Sequence, residues 1–416
     1  MLVVAVASVT FAKLSGEGPP EGVSKKADAP LATCERAPTR ETCSEIMIDG
    51  RSWRYSISRA SHPTADTVIL DIGGPGQSVL TSPYGISAAR GSLSVLSDYN
   101  LVVFEEPWVT TVPTPNCEAS LTAFYSALRG DGGTAKARAL DMSTACGINA
   151  GAGVQDWGFR PEQYERLVRS VGEKERLSFV GFLGHSWGVA RLAYLNDLKF
   201  DWSVLIRPFP VGVAPDGLVD ARAAALGPYT VPAALGDGNV TVPSRSVPVS
   251  RFDALSSWVS LAYVEDAEFS DVRAKLESGT DMALIGKMSD NYWGRYRVTS
   301  VSPAFLAQAQ EVCAVVGGSG TPFTAVVDSR DIMRAGFLPC AGQNPAALKL
   351  PAIGRLCVVT SAKDAVVPEP LIRQGLLGGT ALKATWVEST VRSHRSFDGG
   401  EECLRQTVTA PTPVMR

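Results

Sequence analysis

A serine hydroxyl becomes a nucleophile only when a nearby base takes its proton, and that base is nearly always histidine. The chain has three histidines, His62, His185 and His394. One serine stands in a setting that would expose it: residues 177–195 read LSFVGFLGHSWGVARLAYL. The apolar run Leu177, Phe179, Val180, Phe182 and Leu183 passes into Gly184-His185-Ser186-Trp187-Gly188, then into Val189, Leu192, Ala193 and Leu195 at helical spacing. This predicts a strand, a sharp turn and a helix, with Ser186 on the strained residue of the turn. Glycine at 184 and 188 removes the side chains that would collide where strand and helix nearly touch.

Of the histidines, His62 lies in a Ser-His-Pro turn, and His185, adjacent to the serine, points to the opposite side of the turn. His394 is left as the base. A carboxylate must orient it. Asp364 follows the buried run Leu356 to Thr360 and precedes His394 by one helix and one strand, whereas Glu388 is only six residues away from the histidine and within or at the end of a strand. The chemistry suggested is acyl transfer by Ser186, His394 and Asp364, in the chain order of an α/β hydrolase.

The elements that must position these groups alternate. Residues 46–57 alternate apolar and polar around Asp49-Gly50, a hairpin signal. Thr67 to Ile72 is a continuous apolar strand running into Gly73-Gly74-Pro75-Gly76, whose bare backbone N–H groups suit an oxyanion or a plain turn. Leu101 to Phe104 is a further buried strand, ending in Glu105-Glu106-Pro107-Trp108. A polar, glycine-rich loop over 130–153 and a helix opened by Pro161 precede the serine strand, and Trp202 to Arg207 form another strand. Strands interleaved with helices imply a mostly parallel sheet covered on both faces. From about 209 to 348 helical pieces (Asp220 to Leu226, Val272 to Leu276, Pro303 to Val316) are broken by Pro/Gly-rich stretches, a length far beyond an ordinary connection. That stretch is expected to be a mainly helical cap, inserted before the last strands at 356–360 and 384–387.

At 416 residues, with 45% hydrophobic and 19% charged residues and a net charge of −3, the chain can bury a large core and carries no basic run, so no nucleic-acid partner is expected. The first twelve residues, MLVVAVASVTFA, have signal-peptide length and apolarity without a positive start, and 13–30 have linker composition. Residues 1–33 are therefore expected to be an export signal and leader, with no stable membrane insertion after its removal. Eight cysteines, none spaced C-x-x-C, fit a disulfide-bonded exported protein and no metal site. They allow 105 pairings; pairing in chain order, Cys34–Cys43, Cys117–Cys146, Cys313–Cys340 and Cys357–Cys403, is the simplest.

Strand-GGPG, G-x-S-W-G, Leu-Ile-Arg at the next strand end, a large cap, then Asp and His together resemble the proline iminopeptidase and secreted tripeptidyl-aminopeptidase group of α/β hydrolases, over most of the chain from about Cys34 to Cys403. The resemblance implies that Gly74 and Trp187 supply the oxyanion N–H groups, that Ser186 attacks, and that the cap reads a free amino end. The chain departs from that group at Ile72, at Glu105-Glu106-Pro107-Trp108, at His185 and at Ser393. The expected organisation is a leader (1–33), hydrolase core (34–208), cap (209–348) and core again (349–416). Substrate contacts are expected from Glu105, Glu106, Arg207, Glu265 and Trp293. Asp266 and Glu268 are further candidates for the substrate ammonium, and Trp258, Tyr263, Tyr292 and Tyr296 for an apolar lining. The first reading is an exported aminopeptidase acting on a peptide without a cofactor. The alternatives are an esterase, lactonase or biosynthetic hydrolase on a small-molecule acyl substrate, and a non-catalytic binding module.

Overall fold

The computed structural model describes residues 41–408 except 77, 81–92, 131, 150–154, 237, 244, 246, 295–301, 346–347 and 378–382. The leader, Cys34 and Tyr296 lie outside the described residues.

Eight strands form one sheet: β1 (Glu41–Ile48), β2 (Arg51–Ser58), β3 (Asp66–Asp71), β4 (Asn100–Phe104), β5 (Ser178–His185), β6 (Lys199–Ile206), β7 (Ala352–Thr360) and β8 (Ala384–Glu388). Their spatial order is β1-β2-β4-β3-β5-β6-β7-β8. β1 and β2 form the expected hairpin, with Ile48 opposite Arg51 and both turn residues at positive φ (Asp49 52°, Gly50 76°). β2 joins β4 antiparallel, and every pairing from β4 to β8 is parallel. This is the α/β-hydrolase fold.

Alternation along the buried strands sends side chains to two cores. Ile69, Val102, Phe182, Leu205 and Val358 face one; Val68, Leu101, Leu183, Val204 and Cys357 face the other. Helix α3 (Pro161–Glu175), opened by its proline, packs Tyr164, Leu167, Val168 and Val171 into the first core, and α12 (Gly400–Val408) packs Cys403 and Leu404 into the second. Two earlier helices, α1 (Pro115–Arg129) and α2 (Ala135–Ala145), lie where no helix was expected. α2 falls inside the stretch read as loop: its flanking glycines hid eleven residues rich in strong helix formers, AKARALDMSTA.

Between β6 and β7 the described residues hold six α-helices: α5 (Pro215–Leu226), α6 (Arg251–Ser260), α7 (Asp266–Ser278), α8 (Met282–Tyr292), α9 (Pro303–Val315) and α10 (Ser329–Ala335). Three contain the helical pieces expected there; α6, α8 and α10 were not expected. α4 (Gly188–Tyr194) follows the serine, and α11 (Glu369–Leu377) lies between β7 and β8. Disulfides join Cys117 to Cys146, Cys313 to Cys340 and Cys357 to Cys403, matching chain order; the fourth expected pair involves Cys34. No helix among the described residues is long and apolar enough to cross a membrane.

Candidate active site

Ser186 sits between β5 and α4 at φ 51°, a conformation costly for a residue with a Cβ. It is held there by its neighbours: its N–H donates to the Ile206 carbonyl at 3.0 Å and its carbonyl accepts from Phe209 N–H at 2.9 Å. The expected crowding around the turn is present. A Cβ on Gly184 would lie 2.7 Å from the Phe182 ring and 3.3 Å from the Gly188 backbone, and one on Gly188 would lie 3.1 Å from the Asp71 carbonyl.

The structure brings the three separated side chains together. His394 Nε2 is 2.8 Å from Ser186 Oγ, and His394 Nδ1 is 2.8 Å from Asp364 Oδ2. A carboxylate only accepts, so the ring proton belongs on Nδ1 and Nε2 is free to take the serine proton. All three residues are buried. Asp364 Oδ1 accepts from Val366 and Val367 N–H at 2.8 and 3.1 Å. Burial on its own would raise the Asp364 pKa, but His394, Arg207 and these amides outweigh it and hold the carboxyl below its ordinary value. His62, as expected, is elsewhere, exposed near Asp98.

His185, expected on the opposite side of the turn, instead lines the cavity beside Ser186, its ring centroid 5.0 Å from that of His394. Its Nε2 lies 2.7 Å from the His394 carbonyl and its Nδ1 3.3 Å from that of Ile72. Burial, reinforced by His394, drives its pKa down to about 3, so the ring is neutral and donates through Nε2 to the loop that carries His394.

Arg207 is not where a substrate contact would be. It is fully buried behind Asp364, donating to Asp364 Oδ2 (3.2 Å), Ser389 Oγ (3.0 Å), Val391 O (2.9 Å) and Ser396 O (3.2 Å). It thus fixes both Asp364 and the loop that presents His394. Asp266, at the first turn of α7, accepts from Arg392 and Ser393 N–H at 2.9 Å and holds the same loop from the other side. Its carboxylate is spent on the backbone instead of a substrate ammonium, and neither Glu265 nor Glu268 lines the cavity above Ser186.

The backbone amides near Ser186 can be accounted for one by one. Gly73 N–H donates to Asp71 Oδ1 (2.9 Å), Gly76 N–H donates to Glu106 Oε2 (2.6 Å), and Pro75 has none. Gly74 and Trp187 keep N–H groups with no acceptor among the described residues, and Gly74 lines the cavity. Gly73 brings the two loops together: at φ 80°, a Cβ there would collide with the His185 carbonyl and lie 3.0 Å from Ser186 Cβ and 3.1 Å from Trp187 N.

Glu105 and Glu106 also serve the scaffold, not the cavity. Glu105 accepts from Val79, Leu80 and Glu106 N–H and from Ser78 Oγ, gripping the chain after the glycine loop, and burial raises its pKa despite those bonds. Glu106 belongs to a cluster under the serine turn that sequence reading missed. Arg191, fully buried on α4, donates to Glu106 Oε1 (2.5 Å), to Glu311 Oε1 (3.0 Å) and to Asp71 Oδ1 (3.3 Å). Glu311, from α9, also accepts Trp187 Nε1–H at 2.7 Å and Phe159 N–H at 2.9 Å. Three carboxylates share one guanidinium. Burial pushes Glu106 up to about 8, with Arg191 opposing and Glu311 adding to the rise. The available signal was a charge inside an apolar helix: Arg191 in GVARLAYL and Glu311 in FLAQAQEVCAVV.

Above Ser186 lies a cavity of about 370 Å³. The core supplies Ile72, Gly74, His394 and Arg395, and the segment between β6 and β7 supplies Tyr263, Asn291, Tyr292, Trp293, Phe305 and Gln308. Trp293 therefore does reach the site, its indole N–H held by Ser256 Oγ at 2.9 Å. Trp258 instead stacks on Tyr229 within the segment between β6 and β7, ring centroids 4.5 Å apart.

No family model and no curated protein matches the sequence. Solved structures align at low similarity. They include the enol-lactonase from Burkholderia xenovorans LB400, with 12% identity, 88% of this chain and 98% of that one covered, and a TM-score of 0.40. A proline iminopeptidase from Mycobacterium smegmatis aligns at 12% identity over 88% and 96%, with a TM-score of 0.40. A proline iminopeptidase-related protein from Thermus thermophilus aligns at 12% identity over 90% and 100%, with a TM-score of 0.39. At this distance the substrates of those proteins say nothing about the substrate here.

Proposed function

We propose that the chain is a serine hydrolase in which Ser186 is the nucleophile, His394 the general base and acid, and Asp364 the group that orients it. The observation that carries this reading is the unbroken hydrogen-bonded chain Ser186 Oγ, His394 Nε2, His394 Nδ1, Asp364 Oδ2, with both steps at 2.8 Å. Ser186 Oγ adds to the substrate carbonyl carbon as its proton passes to His394 Nε2. The carbonyl oxygen takes the negative charge between Gly74 and Trp187 N–H. Collapse of the adduct breaks the bond to the leaving group, which departs with the proton from His394. Water then adds to the acyl-enzyme, giving its proton to His394, and the acid product leaves as Ser186 regains a proton.

The helical segment 209–348 acts as the cap, since it supplies one wall of the cavity. The aminopeptidase version of this function needs an anion for the substrate ammonium. Asp266 is already occupied, and the charged side chain lining the cavity beside His394 is Arg395. An ester or lactone substrate is therefore the reading the cavity favours. Three disulfides support export.

The test is a fluorophosphonate probe together with paired substrates. The native protein should label and Ser186→Ala should not; native protein that fails to label sinks the hydrolase. p-Nitrophenyl esters should be turned over faster than any aminoacyl p-nitroanilide, and the reverse order restores the aminopeptidase.

A further inference from the structure

We propose that Arg395 is a specificity residue that reads a carboxylate on the acyl substrate, so that the natural substrate is an ester or lactone carrying a free acid group; this rests on the hydrolase reading above. Arg395 immediately follows His394, is exposed, and lines the same cavity as Ser186. Three other arginines near the site are engaged: Arg191 by three carboxylates, Arg207 by Asp364 and its loop, and Arg222 by the Val366 carbonyl. Arg395 is different. Among the described residues no carboxylate pairs with it, and its guanidinium lies 6.0 Å from the Tyr263 ring centroid, a contact that leaves its N–H fork free.

The charge the cavity presents is positive. Burial raises the phenols of Tyr263 and Tyr292, which remain neutral, and Asn291 and Gln308 are uncharged. Trp293, Phe305 and Phe397 give the cavity apolar surface for the body of the acyl chain. A substrate that places its carbonyl at Ser186 and its apolar chain against these rings carries its far end toward the guanidinium. A planar fork of donors takes a carboxylate through two parallel bonds, geometry a lysine would not reproduce.

Two readouts test this. In the first, fluorophosphonate labelling of Ser186 is slowed by pentanoate or glutarate and compared with pentanamide. Carboxylates should protect at least ~10-fold better than the amide, the worth of one charge-assisted hydrogen bond. Arg395→Gln should bring the ratio near one, and Arg395→Lys should restore only part of it. In the second, the p-nitrophenyl hemiester of glutaric acid should exceed p-nitrophenyl pentanoate in kcat/KM by a similar factor, through KM, with the advantage falling as salt is raised. Equal protection by acid and amide, or a carboxylate preference that survives in Arg395→Gln, overturns the proposal while the hydrolase stands. Absence of labelling in the native protein overturns the hydrolase reading itself.

Discussion

Arg207→Met separates a residue that holds the machinery from one that holds the substrate. The guanidinium is 0% exposed and donates four hydrogen bonds, one to Asp364 and three into residues 389–396. Methionine fills much of the volume and returns none of the bonds. Removing one partner of a buried ion pair costs about 3–5 kcal/mol, and here the Asp364 carboxylate is only partly compensated by His394 and the Val366 and Val367 amides. Guanidinium denaturation should show a loss in that range. The kinetic effect follows from geometry: the loop carrying His394 loses three ties, and a displacement near 1 Å at the base lowers turnover by about 10²-fold. Because Arg207 lies behind Asp364, away from the cavity, the loss should fall on kcat for p-nitrophenyl esters and on the fluorophosphonate labelling rate, with KM within about twofold of native, the expectation for an interaction felt in the transition state alone. A raised KM with kcat intact would return Arg207 to the substrate, and a stability loss under about 1 kcal/mol would refute the account of its burial.

Glu106→Gln tests the charge cluster. The Glu106 pKa rises from an ordinary 4.5 to about 8 on folding, so the folded protein holds a proton the unfolded chain has released between those values. The stability this contributes is complete below about pH 4.5 and is lost as pH rises toward 8, at a slope on the order of 1 kcal/mol per pH unit. Denaturation midpoints measured from pH 5 to 8 should fall in the native protein and run flatter in the variant; parallel curves would exclude Glu106 as the titrating group. Gly73→Ala should be severe, since φ 80° and the His185 carbonyl both reject a Cβ. Folded Gly73→Ala protein with native labelling kinetics would show that the two loops need not approach so closely.

The serine turn and the side chains hydrogen-bonded in line with it, His394 and Asp364, could be read from sequence because each leaves a local mark. Glycines flank Ser186, two of the three histidines could be set aside, Asp364 follows a strand with a buried end, and His394 follows the last strand. The hairpin and the parallel strands were legible for the same reason: their signals are periodic or compositional. What was not legible is pairing across the chain. Arg207, Glu105 and Glu106 look like substrate contacts because they sit at strand ends, where binding groups are built. Only the packed structure shows each facing inward, meeting partners up to 189 residues away. Arg191 and Glu311 were overlooked because a charge in an apolar helix carries no mark of its partner. α2 was lost to its flanking glycines.

Glu311 gives the insertion a part in how the molecule is made. Arg191 and Trp187 leave the ribosome 120 and 124 residues before the carboxylate that binds both. Until α9 arrives, the turn that bears Ser186 stands over a guanidinium and an indole N–H lacking that acceptor. The nascent core through β6 is therefore an unfinished site, and a chain cut back to its sheet by deleting 209–348 should fail to label with a fluorophosphonate. α9 is also bound to the chain through Cys313–Cys340. Motions that open the cavity to substrate should then leave α9, tied to the core through Glu311, in place.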